Sequence, residues 1–422
     1  MTSWLPRALA AVEDSRTQMF DLLSTLVRAP SVTGTDVEHD VLALTAQWLH
    51  RQGLEVDHWP VDLDSLKADP DFPGLEAPRS EAWGLVGRLP GRGDGATLMF
   101  NGHVDVVPAG QRSSWPDSGA FSADVRDGSL FGRGSCDMKG GLVAALWATQ
   151  ALRRSGAPLR GDLLMACVQG EEDGGLGTFA TLRRGWRADA CVVPEPTSLD
   201  LVTAAAGALT FRLRITGKAV HASRHLEGVS AMGKLWPVWV ALQDLERERN
   251  AVVDPLFTRW DLPYPLCIGT VVSGNWASSV PDLLVAEGRL GVALGEPVEE
   301  ARAALEGAVD AACDLDPWLR EHPVVVEWWG GQFASGQLPV DSDLPQRLAA
   351  AHRVGGGKAQ STWGAPYGSD LRLLAAEGVP TLHYGPGDAG LAHGPGESVP
   401  LDEVAAAART LTALALDVCG VG

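Results

Sequence analysis

Short apolar runs separated by helical segments recur along most of this chain, and one stretch in the middle breaks the alternation. ATLMFNGHVDVVP reads as a strand followed by a loop, and MKGGLVAALWATQALRRSG as a helix ending in basic residues and Gly156. LRGDLLMACVQGEE reads as a strand running into an acidic loop, and ADACVVPEP as another strand. Upstream, residues 15–29 and 36–52 carry apolar positions at helical spacing, and Gly53 stands where the second would stop. Strands alternating with helices indicate an α/β domain with a largely parallel sheet.

From about Ala206 to Trp329 the pattern changes. ALTFRLRITG alternates as a half-buried strand, AMGKLWPVWVALQDLERE is helical, LCIGTVVSG and LLVAEGRLGVAL are strands, VEEARAALEGAVDAAC is an amphipathic helix, and VVVEWW closes the set. Strand–helix–strand–strand–helix–strand is the ferredoxin-like order of a compact α+β domain. The α/β character returns with LPQRLAAAHRVGG, SDLRLLAAEGVPTLHYGPG and LDEVAAAARTLTALALDV. The expected organisation is a catalytic domain over 1–205 and 331–422 with a domain over 206–330 inserted into it. Residues 60–82, rich in Pro and Asp, read as a surface excursion.

Composition narrows the partners. A formal net charge of −19 repels nucleic-acid phosphates and anionic lipid, so neither is expected. No run of about 18 uncharged apolar residues occurs, which argues against a membrane span. The first residues carry charges and no clean apolar core, so no signal peptide is expected there. The six cysteines are far apart and form no CxxC pair; a reducing, cytoplasmic setting fits them.

Five segments concentrate His, Asp and Glu just beyond strands, where open α/β sheets bind ligands: FNGHVDVVPAG, GRGSCDMKGG, VQGEEDGGLGT, VVPEPTS and LAHGPGE. His103 and Asp105 share a face of an extended segment, so a carboxylate can fix the imidazole's tautomer. Asp137, flanked by glycines at a helix entry, reads by itself first as an N-cap, though its two oxygens can also bridge two cations. Glu171 and Glu172 are either a solvated acidic loop or a division of labour, one residue binding a cation and the other moving a proton. Glu195 sits between Pro194 and Pro196, and His393 follows a loop bearing Gly385, Gly387 and Gly390. Taken singly, each has an ordinary surface or capping explanation. Taken together, two histidines and several carboxylates form a donor set suited to zinc, cobalt or manganese.

The segments GHVDVVPAG, GRGSCDMKGG, GEEDGG, PEPT and AHGPGE, in this order, resemble the family of dinuclear zinc amidohydrolases and exopeptidases. That family includes acetylornithine deacetylase, succinyl-diaminopimelate desuccinylase, aminoacylase and carboxypeptidase G. The resemblance spans nearly the whole chain and implies a zinc-peptidase-like α/β catalytic domain with an inserted lid and dimerisation domain. It implies two divalent metal ions: zinc first, with cobalt or manganese as alternatives. His103, Asp137 and Glu195 would hold one, and Asp137, Glu172 and His393 the other. Asp105 would orient His103, Glu171 would be the general base, and a cis peptide would follow Asp137. His221 in GKAVHAS resembles the lid histidine that reaches the oxyanion of the neighbouring subunit in a homodimer. Arg372 in GSDLRLL resembles an arginine near the substrate. A Glu at position 195 is similar to the deacylase and carboxypeptidase branches.

Two departures concern the lid. WASSVPD has Ser278 where relatives often carry Asn, and the position of a lid arginine falls near Gly291, with Arg289 two residues earlier on the same strand face, roughly 7 Å away. An arginine clamp on a substrate carboxylate is therefore not secured. The expected reaction is hydrolysis of the amide of a small N-acylated substrate, in the manner of acetylornithine deacetylase. N-formyl-aminopyrimidine deformylase chemistry, a dipeptidase or carboxypeptidase, and a non-catalytic binding protein are the alternatives. The glycine-rich GRGDGAT and GGLGT lack P-loop spacing, so a nucleotide site is not expected.

Overall fold

The computed structural model describes residues 4–116 and 118–422, which form two compact units. The first comprises Met1–Ala204, Gln337–Trp363 and Asp370–Gly422; the second comprises Ala205–Gly336 and Gly364–Ser369.

In the first unit, six strands of one mixed sheet lie in the order Glu55–Pro60, Trp83–Leu89, Leu163–Val168, Leu98–His103, Ala190–Val193 and Thr381–His383. The last four run parallel to one another, so their carboxyl ends share one edge of the sheet. Both faces of these strands are covered, which is why their sequences are continuous apolar runs rather than alternating ones. Leu98 and Phe100 join a core with the helices Gly140–Ser155 and Leu401–Val418; Met99 between them points to a second core with Leu182 and Leu374. Leu163, Met165 and Cys167 belong to the first of these cores, and Leu164, Ala166 and Val168 to the second.

Chain direction across the sheet then fixes where a site can form. The step from Leu98–His103 to Leu163–Val168 goes one way, and the step on to Ala190–Val193 goes back past the starting strand. Right-handed crossovers in opposite directions place their helices on opposite faces, which leaves a crevice at the carboxyl ends where the direction reverses.

The second unit has a four-stranded antiparallel sheet in the order Leu266–Ser273, Leu283–Val292, Gly207–Thr216, Val325–Phe333. Helices Ala231–Arg249 and Val298–Leu315 cover one face. Leu209, Phe211, Leu213 and Ile215 point into that core, with Val238, Leu242, Leu305 and Val309 above them. The alternation read from the sequence is the one-sided burial of an antiparallel sheet. The strand Val325–Phe333 runs past position 330 through an irregularity between Trp328 and Gln332.

Residues 60–82 are only partly the surface excursion their composition suggests. Leu63 and Ala82 are buried with Leu176, and the Arg79 side chain is 2% exposed. Among the described residues no helix is long and apolar enough to cross a membrane, and all six cysteines are free thiols.

Phe100 is fully buried where the central strand meets the first core. Phe100→Ala should cost about 3–5 kcal/mol of stability in urea unfolding, as large aromatic deletions in collapsed cores do. A loss under about 1 kcal/mol would mean the strand is not central to the packing.

Candidate metal centre

The strand Leu98–His103 delivers His103 to the edge at its last position, with 1% exposure. Its Nδ1 donates to the Asp105 carbonyl oxygen at 2.9 Å, which leaves Nε2 facing Asp137 Oδ1 at 3.2 Å and Glu195 Oε1 at 3.9 Å. The expected carboxylate partner is displaced by one bond: Asp105 Oδ1 lies 3.7 Å from Nδ1, because the main-chain carbonyl of the same residue is closer. Asp105 instead uses its carboxylate on a loop. Oδ1 accepts from the Glu171 N–H and Oδ2 from the Glu172 N–H, both at 3.2 Å, and Thr33 Oγ1 donates to Oδ2 at 3.0 Å.

Asp137 stands in the bend before the helix Gly140–Ser155, with φ −113° and ψ 98°, and its peptide bond to Met138 is cis. Its two oxygens point at different histidines: Oδ1 at His103, and Oδ2 at His393 Nε2, 3.4 Å away. Glu172 Oε2 is 3.1 Å from His393 Nε2. Donor atoms of His103, Asp137 and Glu172 all lie within 4.8 Å of one another, and buried Glu195 closes the other side of His103. The loop after Thr381–His383 carries His393, which has a left-handed φ of 62°.

Electrostatics favour a cation here. Burial, then the charge of Asp370, holds the Glu171 carboxyl well above its usual range; burial, then Asp137, does the same for Glu195 and raises Glu172. Burial opposes ionisation of Asp137 too, yet hydrogen bonds from His103 and His393 hold it below the usual carboxylate range. Burial works against a charge on His393 as well, but hydrogen bonds to Asp137 and Glu172 outweigh it and push the imidazole up to about 11. Protons on the histidines stand where a positive ion of the right size would be held by the same atoms. Two imidazole nitrogens and three carboxylates, close together and buried except at His393, whose side chain is 54% exposed, fit divalent zinc, cobalt or manganese.

Two residues of this centre were not singled out in the sequence. Arg133 Nη1 donates to Glu397 Oε2 at 2.5 Å and Nη2 to the His393 carbonyl at 2.8 Å. Glu397 Oε1 accepts the N–H groups of Cys136 and Asp137. The pair thus ties the Asp137 bend to the His393 loop. Both lie inside the segments GRGSCDMKGG and LAHGPGE, where a basic and an acidic residue with no other task are the available signal.

Arg372 stands beside the loop that carries Glu171 and Glu172. It is 5% exposed and donates to the Gly174 carbonyl at 2.7 Å, which supports the loop behind Glu172. In the second unit, exposed His221 accepts at Nδ1 from the Ser223 N–H, and its segment is bridged to Ser279 while Ala222 N–H donates to the Ser278 carbonyl. Arg289 lies opposite Thr210, with its guanidinium 5.8 Å from the centre of the Phe333 ring. At Gly291 a Cβ would fall 2.8 Å from the Tyr264 backbone, so any side chain there would need that backbone to shift.

Residues 99–417 match the model of peptidase family M20/M25/M40. The chain is 27% identical to N-formyl-4-amino-5-aminomethyl-2-methylpyrimidine deformylase of Halalkalibacterium halodurans, over 99% of this chain and 98% of that one. It is 33% identical to succinyl-diaminopimelate desuccinylase of Gluconacetobacter diazotrophicus, over 64% of this chain and 66% of the relative. Its fold is similar to that of a Saccharomyces cerevisiae di-peptidase, with a TM-score of 0.79 over 99% of both chains and 16% identity.

A histidine raised in the folded metal-free protein stabilises that fold fully below its unfolded value near 6.5, and the contribution is lost as pH rises toward about 11. Within that window a metal ion must displace the proton from His393. Zinc titration at pH 7, run calorimetrically in two buffers of different ionisation enthalpy, should show net proton release, smaller in His393→Ala. Heats independent of buffer would contradict the assignment.

Proposed function

The chain belongs to peptidase family M20/M25/M40, and from that premise we propose that this amidohydrolase uses two divalent metal ions to remove a small, formyl-sized acyl group from an amine. The observation that carries the metal reading is Asp137, whose two oxygens face two histidines, one at the end of a strand and one on a distant loop. His103, Asp137 and Glu195 would hold one ion, and Asp137, Glu172 and His393 the other. Bound there, the ions supply Lewis-acid polarisation of the amide carbonyl and acidify water.

The rest of the reaction falls to the protein's own groups. Glu171 takes the proton of the attacking water and hands it to the nitrogen of the leaving amine, two transfers that one carboxylate can perform in turn. Asp105 holds the Glu171 and Glu172 amides, so the base and the ligand beside it are set by one carboxylate. His221 would donate to the oxyanion of the neighbouring subunit in a homodimer, a contribution of about 3 kcal/mol for one such donor.

Two observations favour a formyl-sized acyl group on an amine without a clamped carboxylate. The deformylase relative matches end to end, whereas the desuccinylase relative matches over two thirds of its length. Position 291, where the resemblance places a lid arginine that would clamp a substrate carboxylate, is glycine in this chain. Deacylation of N-acyl amino acids, as by acetylornithine deacetylase, is the competing reading.

A homodimer is proposed through the second unit. Met232, Trp236 and Val240 lie four residues apart on one helix face and are 61%, 70% and 40% exposed, an apolar stripe of the kind that marks interaction surfaces. The setting proposed is cytoplasmic, in keeping with six free thiols.

Zinc- or cobalt-loaded protein should hydrolyse N-formyl amines faster than N-acetyl or N-succinyl amino acids, and dipeptides slowest. Faster turnover of N-acetyl amino acids would give the deacylase reading instead. Glu171→Gln should keep the wild-type metal content and lower kcat by about 100-fold or more. Near-normal turnover would remove Glu171 from the base role.

A further inference from the structure

The loop Gly170–Gly174 carries the proposed base and one proposed ligand, and each of its five residues is held by a different contact. Gly170 N–H donates to Glu38 Oε1 at 3.1 Å. The Glu171 and Glu172 N–H groups donate to Asp105, and the Gly174 carbonyl accepts from Arg372. The remaining residue, Asp173, is held through its side chain by Arg79, with Nη1 3.1 Å from Oδ1 and 3.3 Å from Oδ2.

Arg79 does more than pair with Asp173. Its Nε and Nη2 donate to the two oxygens of Glu38, at 3.3 Å and 3.1 Å, so one guanidinium joins both carboxylates. All three side chains are at most 5% exposed. Two of the same oxygens also accept from nearby backbone: Glu38 Oε2 from Gly34 N–H, and Asp173 Oδ2 from the N–H groups of Glu76 and Ala77. The fit is close. Gly170 has a left-handed φ of 67°, and a Cβ there would lie 2.8 Å from Arg79 Nη1.

A buried ionic cluster of this kind adds little net stability over a well-packed apolar one, because desolvation offsets the attraction. What it does supply is geometry. A planar guanidinium that bonds two carboxylates in fixed directions transmits its own placement to both. Here one carboxylate grips the amide before Glu171, and the other belongs to the residue after Glu172.

We propose that Arg79 is a positioning residue of the metal centre, setting the Glu171–Glu172 segment through Glu38 and Asp173. This rests on the reading of Glu171 as base and Glu172 as ligand. Arg79 touches neither metal donors nor substrate, and it acts through the backbone of the loop.

The test uses the zinc-loaded protein with Arg79→Lys, which keeps the charge and loses the fork, Arg79→Gln, which removes the guanidinium from both carboxylates, and Asp173→Asn, which weakens one side of the cluster. Three quantities are read: hydrogen exchange at the 170–174 amides, zinc affinity by chelator competition, and kcat and KM separately. The expected result for Arg79→Lys is faster exchange confined to that loop, with zinc affinity or kcat lowered about 10–100-fold, KM within about twofold and the circular dichroism of wild type. Asp173→Asn should show the same pattern in weaker form. Wild-type exchange and wild-type kcat in folded Arg79→Lys would overturn the proposal, as would uniform loss of protection over the whole first unit, the mark of a merely structural role. If Arg79→Gln does not fold, Lys and Asn decide. Should wild type hydrolyse no amide tested, the functional reading fails, while loop exchange and zinc affinity still decide the role of Arg79.

Discussion

Negative charge gathered at the carboxyl edge of a parallel sheet is the constraint around which the first unit is arranged. Asp105, Asp137, Glu171, Glu172 and Glu195 stand on loops after three neighbouring strands and at the entry of one helix. Left alone, such groups would repel and seek water. Burial under two hydrophobic cores denies them water, so each must find a proton, a backbone N–H or a cation. The chain meets this demand in two ways. Asp105 and Glu397 are satisfied by main-chain N–H groups, and Glu397 by Arg133, so they stay as fixtures. Asp137, Glu172 and Glu195 face imidazoles instead, and these are the groups whose charge a metal can take up.

How much of this could be read from the sequence follows from how local each signal is. The strands ending at His103, Val168 and Val193 were legible because two-sided burial makes them unbroken apolar runs, and the acidic and histidine residues just after them mark the edge. The second unit was legible for the opposite reason: one covered face leaves a period-two pattern in ALTFRLRITG. Its last strand continues to Phe333 through the irregularity after Trp328, which leaves no compositional mark.

The residues that sequence reasoning missed act over long separations. Arg133 and Glu397 are 264 positions apart, and Arg79 is 94 from Asp173; no local period announces such pairs. Segment 60–82 looked like a surface excursion because Pro and Asp usually mean solvent, and the buried arginine in it has no sequence signature of burial. For Arg372 the sequence carries no direction. Its position in the chain is near the site, but its side chain turns back to a carbonyl behind the Glu172 loop, and a one-dimensional motif says nothing about that turn.

These pairings also explain how glycine-rich segments can form an ordered centre. Gly170, Gly174 and Gly175 leave the loop after Val168 with wide backbone freedom, and in isolation that freedom would blur the position of any carboxylate on it. Small residues are nonetheless needed, since a side chain at Gly174 would meet the Gly74 carbonyl 2.2 Å away. Close approach and low backbone bias are thus two consequences of one choice. The loop recovers its definition from outside, through partners drawn from four separate segments at Glu38, Arg79, Asp105 and Arg372. Precision in this centre is therefore a property of the surrounding ionic contacts rather than of the motif that carries the carboxylates, and the motif alone would place them only loosely.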